Sequence, residues 1–169
     1  LIAFQIGNEV SINELAINLE LGNKTVRRYL DLLEKSFVIF RLPALSKNPR
    51  KEIAQKDKIY FYDLGVRNVL IDNFNALSDR NDCGALFENF LVAERMKKIK
   101  YKEISAGCYF WRAYTGGEID YVESAAGKFS AYEFKYKKDN AKRPKKFFES
   151  YDASEFKVIN RENFLEFVL

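Results

Sequence analysis

The sequence predicts an α+β or α/β protein in two parts, and three observations carry that expectation. Apolar residues recur at helical spacing over residues 11–35 and again over 85–98. Between Cys108 and Tyr136 they alternate with polar residues around two turns, as in strands. Hydrophobic residues are 47% and aromatics 15% of the 169, enough for a packed core. The turn-rich segment Leu77–Cys83, with Ser78, Asp79, Asn81 and Asp82, divides the chain into expected domains 1–80 and 81–169.

Ser11 is a good N-cap, and Glu14 three residues later completes a capping box. The short helix that follows places Ile12, Leu15, Ala16 and Leu19 on one face. Leu21-Gly22-Asn23 breaks it, with Gly22 expected to take the positive φ of a helix end. A second helix runs from Lys24 to Lys35 on the apolar positions Val26, Tyr29, Leu30 and Leu33. Phe37 to Leu42 reads as a strand, and Lys58–Tyr62 as its return after the basic loop Ser46–Lys58. Two short helices joined by a tight turn and followed by a hairpin describe a winged helix-turn-helix. In that reading Lys24, Thr25, Arg27 and Arg28 enter a DNA groove. Arg50, Lys51, Lys56 and Lys58, near the tip of the wing, hold phosphates. The same module also serves to dock proteins without touching DNA, and this recognition helix is only modestly basic.

From Ala85 to Lys98 the pattern is one amphipathic helix, with Glu88 and Glu94 among its apolar residues. Cys108–Tyr114, Glu118–Glu123 and Phe129–Tyr136 read as three strands of an antiparallel meander, turning at Gly116-Gly117 and at Ala125–Lys128. A period of two puts Glu133 and Lys135 on one face of the third strand, and Glu118, Asp120 and Val122 on one face of the second. Pairing through the second turn brings Asp120 beside Glu133, and carboxylates among apolar neighbours are costly unless a partner compensates them. A helix starting near Pro144 carries Phe147, Phe148 and Tyr151 back to the sheet. The run Lys135–Lys146 holds seven basic residues and one acidic. With Lys142, Arg143, Lys145 and Lys146 in it, it is expected to guide phosphates past the site, or else to be a solvated loop.

Composition removes other chemistries. There is no histidine, which excludes Ser-His-Asp and Cys-His nucleophiles and any histidine-based nuclease. Cys83 and Cys108 have no companions for a zinc ribbon, and two unpaired thiols fit a cytoplasmic protein. No run approaches the roughly 20 apolar residues of a bilayer-spanning helix, so no membrane partner is expected. Lys plus Arg is 28 and Asp plus Glu 24, a mild net charge of +4. What remains for catalysis is carboxylates, lysines, arginines and hydroxyls.

Asp120 followed by Glu133-Phe134-Lys135 resembles the PD-(D/E)XK nuclease signature. Two carboxylates there hold Mg²⁺ and a lysine stabilises phosphate charge. Glu88, on the preceding helix, matches the further glutamate of that superfamily. A Glu-Lys pair on an exposed strand, or an inactive nuclease-like fold, leaves the same pattern. The longer array extends the resemblance. It comprises Asn23-Lys-Thr-Val-Arg-Arg-Tyr-Leu30, Lys58-Ile-Tyr-Phe-Tyr-Asp-Leu-Gly65, Gly84-Ala-Leu-Phe-Glu-Asn-Phe90, Trp111-Arg112, Gly117-Glu-Ile-Asp-Tyr121 and Tyr132-Glu-Phe-Lys135. In order and spacing it resembles the C-terminal region of prokaryotic AAA+-type ATPases of unknown function. There a winged helix is followed by a restriction-endonuclease-like domain with a mixed central sheet flanked by helices. That resemblance implies a DNA-binding and Mg²⁺-dependent DNA-cleaving module, or an inactive interaction or regulatory module of the ATPase. It implies catalytic Asp120, Glu133, Lys135 and Glu88, with metal on Asp120 and Glu133. No Gly-x-x-x-x-Gly-Lys-Thr loop occurs. The chain, which starts at Leu1, is therefore expected to lack the N-terminal ATPase domain and any ATP site of its own.

Overall fold

In the computed structural model, which describes residues 1–46, 56–113, 116–137 and 141–169, the Ser11 side chain accepts a 3.3 Å hydrogen bond from the Glu14 N–H. That cap starts α1 (Ile12–Asn18). The chain then turns through the left-handed region at Glu20, φ 53°, not at Gly22. Gly22 is extended and caps α2 (Asn23–Lys35). A polar residue thus takes the strained position two residues before an available glycine. Val26 and Leu30 are buried on α2 while Tyr29 is exposed, so the inward stripe is narrower than the spacing suggests. β1 (Ile39–Leu42) and β2 (Lys58–Phe61) pair antiparallel, Leu42 opposite Lys58. Phe37 belongs to the preceding turn, at φ 56°.

α3 (Leu64–Leu70), which the hydrophobic pattern does not announce, is capped by Asp63, whose carboxylate accepts from Gly65 and Val66 N–H. The connection to α4 is tied by guanidinium groups. Arg67 and Arg80 both pair with Asp82, and Arg80 also bonds the Asn73 carbonyl at 2.7 Å. α4 (Cys83–Tyr101) is longer than expected. It is buried on several faces, through Leu86, Asn89, Leu91, Val92 and Ala93, because structure covers it on more than one side.

The main sheet has the order β3 (Gly107–Arg112), β4 (Glu118–Ala125), β5 (Lys128–Phe134), β6 (Ala153–Ile159). The first three strands form the expected antiparallel meander. β6 joins β5 in parallel, through a crossover that carries α5 (Lys145–Ser150), and makes the sheet mixed. One face of the sheet packs Tyr121, Tyr132, Phe134 and Ile159 against α4 and α6 (Phe164–Val168). The other packs Ile119, Val122 and Ala131 against Phe147 of α5.

Phe40, Leu42 and Tyr60 of the small hairpin belong to the same core cluster as Leu91, Val92, Phe110 and Tyr121. Past β1 the backbone also reaches β3. Leu45 donates to the Phe110 carbonyl at 2.7 Å, and Phe110 donates to that of Pro43 at 3.0 Å. The architecture is α+β, a mixed four-stranded sheet with helices on both faces and a helix-and-hairpin unit packed on one side.

Candidate active site

The β4–β5 pairing brings three of the expected residues together. Its register sets Tyr121 against Tyr132, so Asp120 falls level with Glu133. Beside this pair the β3–β4 ladder is irregular. β3 advances two residues from Tyr109 to Trp111 while β4 advances three from Val122 to Ile119. With this bulge Ile119 and Val122, three residues apart, both join the core cluster that contains Ala131 and Phe147. Asp120 Oδ2 accepts the Phe134 N–H at 2.8 Å. Lys135 lies just past the end of β5, and its Nζ donates to Glu133 Oε1 at 2.9 Å, as the period of two requires.

Glu88 reaches the same place from α4, and a residue expected at the wing tip meets it there. Lys58 is a buried member of β2, its side chain only 2% exposed. Its Nζ stands 2.8 Å from Glu118 Oε1, 3.2 Å from Glu88 Oε1 and 3.8 Å from Asp120 Oδ1. Tyr60, two positions on and on the same strand face, donates to Glu88 Oε1 at 2.6 Å. Asn89 fixes the helix beside it, its amide exchanging two 2.8 Å hydrogen bonds with the backbone of Phe61. Gly7 covers Glu88 from above. At φ 75° any side chain is strained, and a Cβ would lie 3.3 Å from the carboxylate. Arg112, bonded to Glu9 at 2.9 Å, borders the cluster 4.0 Å from Glu118.

Burial pushes the Glu88 carboxyl up to about 7, with the Lys58 ammonium opposing it and the Asp120 charge adding to it. Burial likewise raises Asp120, against the pull of Lys58 and the Phe134 N–H. Glu133 is raised by burial and then by Asp120. For Lys58, burial disfavours the ammonium, but Glu88, Asp120 and Glu118 together outweigh it and hold its pKa above the ordinary lysine value. Tyr60 is held protonated by burial and by Glu88, so it remains a donor.

Lys58, Tyr60, Glu118 and Asn89 were not legible as site residues from motif alone. The signal that was present is alternation, because Lys58 and Tyr60 share one face of a strand whose next apolar residues, Ile59 and Phe61, share the other. Of the expected nucleic-acid contacts, Lys24, Thr25, Arg27 and Arg28 are exposed on α2. Lys24, Thr25 and Arg28 line a shallow groove with Tyr29 and Leu32. Lys142, Arg143, Lys145 and Lys146 are exposed around the start of α5, with the Arg143 guanidinium 3.6 Å above the Phe148 ring. Pro144 packs near Gly117, beside Glu118, so this basic segment borders the cluster. Arg50 and Lys51 lie outside the described residues.

Residues 1–77 match a family described as a domain of unknown function (DUF8612), and residues 83–165 a second one (DUF4143). The second match covers 83 of the 169 residues and places the DUF4143 similarity in the C-terminal half of the chain. The uncharacterized proteins Rv2008c of Mycobacterium tuberculosis and Mb2031c of Mycobacterium bovis are each 29% identical over 137 residues, 80% of this chain. The chain spans 30% of the length of those relatives. No solved structure matches it. Among the described residues, no helix is long and apolar enough to cross a membrane.

Proposed function

We propose that the chain is a DNA-binding module that cleaves phosphodiester bonds with Mg²⁺ held by Asp120 and Glu133, within a larger AAA+-type ATPase protein. The observation that carries this reading is the convergence of Asp120, Glu133 and Lys135 at one end of the β4–β5 pair, with Glu88 facing them from α4. The order of α1, α2 and the β1–β2 hairpin supports the winged helix-turn-helix part. The helix α4 ahead of the β3–β4–β5 meander supports the restriction-endonuclease-like part.

The donor set suits a hard divalent cation. Four carboxylates (Glu88, Glu118, Asp120, Glu133) face two ammonium groups (Lys58, Lys135), which leaves 2 − 4 = −2 if all are ionised. Among the described residues no three acidic, cysteine or histidine side chains are gathered tightly enough to cage an ion. Mg²⁺ is usually held by one or two carboxylates, with water and phosphate filling the rest, and Asp120 and Glu133 supply that number. Bound there, Mg²⁺ would supply a polarised phosphate oxygen and an acidified water. Lys135 then sets a positive charge beside Glu133, where charge develops on the phosphate. Glu88 acts at a distance, as it holds Lys58 and Tyr60. The exposed bases of α2 and of the α5 segment attract the duplex without reading its sequence.

Plasmid cleavage in Mg²⁺ or Mn²⁺ is the test. Wild type nicks or cuts, Asp120→Ala is inactive, and Lys135→Ala is slower by about 100-fold. Equal cleavage by wild type and Asp120→Ala marks a contaminant and removes the assignment. A second reading, a non-catalytic interaction module of the ATPase, is favoured by the exposed apolar residues Phe4, Val66, Val69, Leu70 and Phe74. It holds if the plasmid stays intact and no duplex binding is measurable at low salt.

A further inference from the structure

We infer that the cavity between α3 and α4 receives an unpaired nucleobase, so that the substrate of the proposed site is DNA with a single-stranded stretch. The inference rests on the proposed reading of the site and names its substrate class. The cavity has a volume of about 320 Å³, at the small end of ligand pockets, and its walls include Phe74, Phe87, Phe90 and Tyr136. Two of these rings adjoin the site in the chain. Phe87 precedes Glu88 on α4, and Tyr136 follows Lys135 past the end of β5. The two rings meet edge to face, their centroids 5.8 Å apart. A strand held at Lys135 is thus one residue from the cavity wall.

The polar groups of the cavity suit the edge of a base. Arg80, its side chain 2% exposed, lines it together with Asn68. Asn68 Oδ1 accepts from Arg80 at 2.9 Å, so what its amide offers the cavity is the NH₂ donor. Arg80 and Arg67 share the one carboxylate of Asp82, which gives this corner one more guanidinium than carboxylate. The exposed Arg161 guanidinium stands 4.8 Å from the Tyr136 ring and adds positive charge at that wall. Aromatic faces stack any base, amide and guanidinium donors meet its acceptor atoms, and the positive charge suits the flanking phosphates. An apolar side chain from a protein partner would use the rings and leave those donors unanswered. A base within a duplex is paired and stacked and does not reach such a cavity, so the base that enters is unpaired. Phe74, 67% exposed, presents its ring at the mouth.

The experiment titrates the protein into a short single-stranded oligonucleotide carrying a fluorescent, stacking-sensitive adenine analogue, and into the matching duplex. No divalent ion is added, so cleavage does not enter. Wild type, Phe74→Ala, Phe74→Trp and the exposed control Phe4→Ala are compared, with thermal unfolding verifying that each is folded. Wild type should bind the single strand more tightly than the duplex and quench the analogue. Phe74→Ala should lose about 10-fold in single-strand affinity and leave duplex binding unchanged. Phe74→Trp should restore the affinity, and Phe4→Ala should match wild type. Single-strand affinity unchanged in Phe74→Ala, a wild type that prefers the duplex, or one that ignores single strands at low salt overturns the inference. Binding of free deoxyguanosine monophosphate without binding of the single strand overturns it too and gives the cavity to a free nucleotide. Plasmid cleavage reports separately on the proposed function. Cleavage that depends on Asp120, with single-strand binding indifferent to Phe74, discards the cavity and keeps the nuclease. Single-strand binding that depends on Phe74, with the plasmid intact, does the reverse.

Discussion

Glu88 is packed against Lys58, Tyr60 and the backbone of Gly7, and its carboxyl is pushed by burial from 4.5 up to about 7. Between those values the folded protein keeps a proton that the unfolded chain has released, so stability falls as pH rises through this window. Glu88→Gln keeps the shape and an acceptor for Tyr60 but removes the titration. Its unfolding midpoint should decline less than that of wild type between about pH 5 and pH 7. Asp120 and Glu133 are raised as well, so part of the slope persists. Equal slopes in scanning calorimetry would contradict the buried, protonatable state of Glu88. At this scale the strand residues of the site were readable, because alternation alone sets Glu133 and Lys135 on one face. Lys58 was not. In a sequence it is one more base in a basic run, and only the pairing of β2 with β1 and the packing of both on α4 turn it inward.

Asp82 holds the segment between α3 and α4 in place. Arg80 and then Arg67 hydrogen-bond its carboxylate and keep it well below the usual carboxylate range. Arg67 is buried, and it also bonds the Ala3 carbonyl at 2.8 Å. Asp82→Ala leaves that guanidinium without its counter-ion, and urea unfolding should register a destabilisation of about 3 kcal/mol. A change of about the size of an exposed ion pair, below ~1 kcal/mol, would show that Arg67 finds another partner. Elements with strong periodicity were legible, namely α1, α2, α4 and the three antiparallel strands. Those whose form is set by neighbours were not. β6 is a half-exposed edge strand with little alternation, recruited by parallel pairing to β5. α3 is seven residues that depend on the Asp63 cap. The β4 bulge follows from a packing choice, because Ile119 and Val122 both go under, and no local signal in Glu118–Ala125 marks it.

For the whole molecule, the hairpin of the N-terminal half and α4 of the C-terminal half share one core, and the candidate site lies where they meet. The exposed bases of α2 and of the α5 segment are spread over the outside of this unit, which fits contact with a phosphate backbone. Replacing Lys142, Arg143, Lys145 and Lys146 together with Ser should weaken binding to duplexes of any sequence. The dependence of log K on log salt should flatten by about 0.9 for each phosphate that the variant no longer neutralises. Unchanged affinity and slope would return that run to ordinary solvated surface. Metal binding by this molecule is proposed at Asp120 and Glu133. Crystals grown with Mn²⁺ and measured at the manganese absorption edge locate the ion by its anomalous scattering. One peak bound by Asp120 and Glu133 is expected, with Lys58 still seated among Glu88, Glu118 and Asp120. Anomalous density absent from that pair of carboxylates at saturating Mn²⁺ would contradict it.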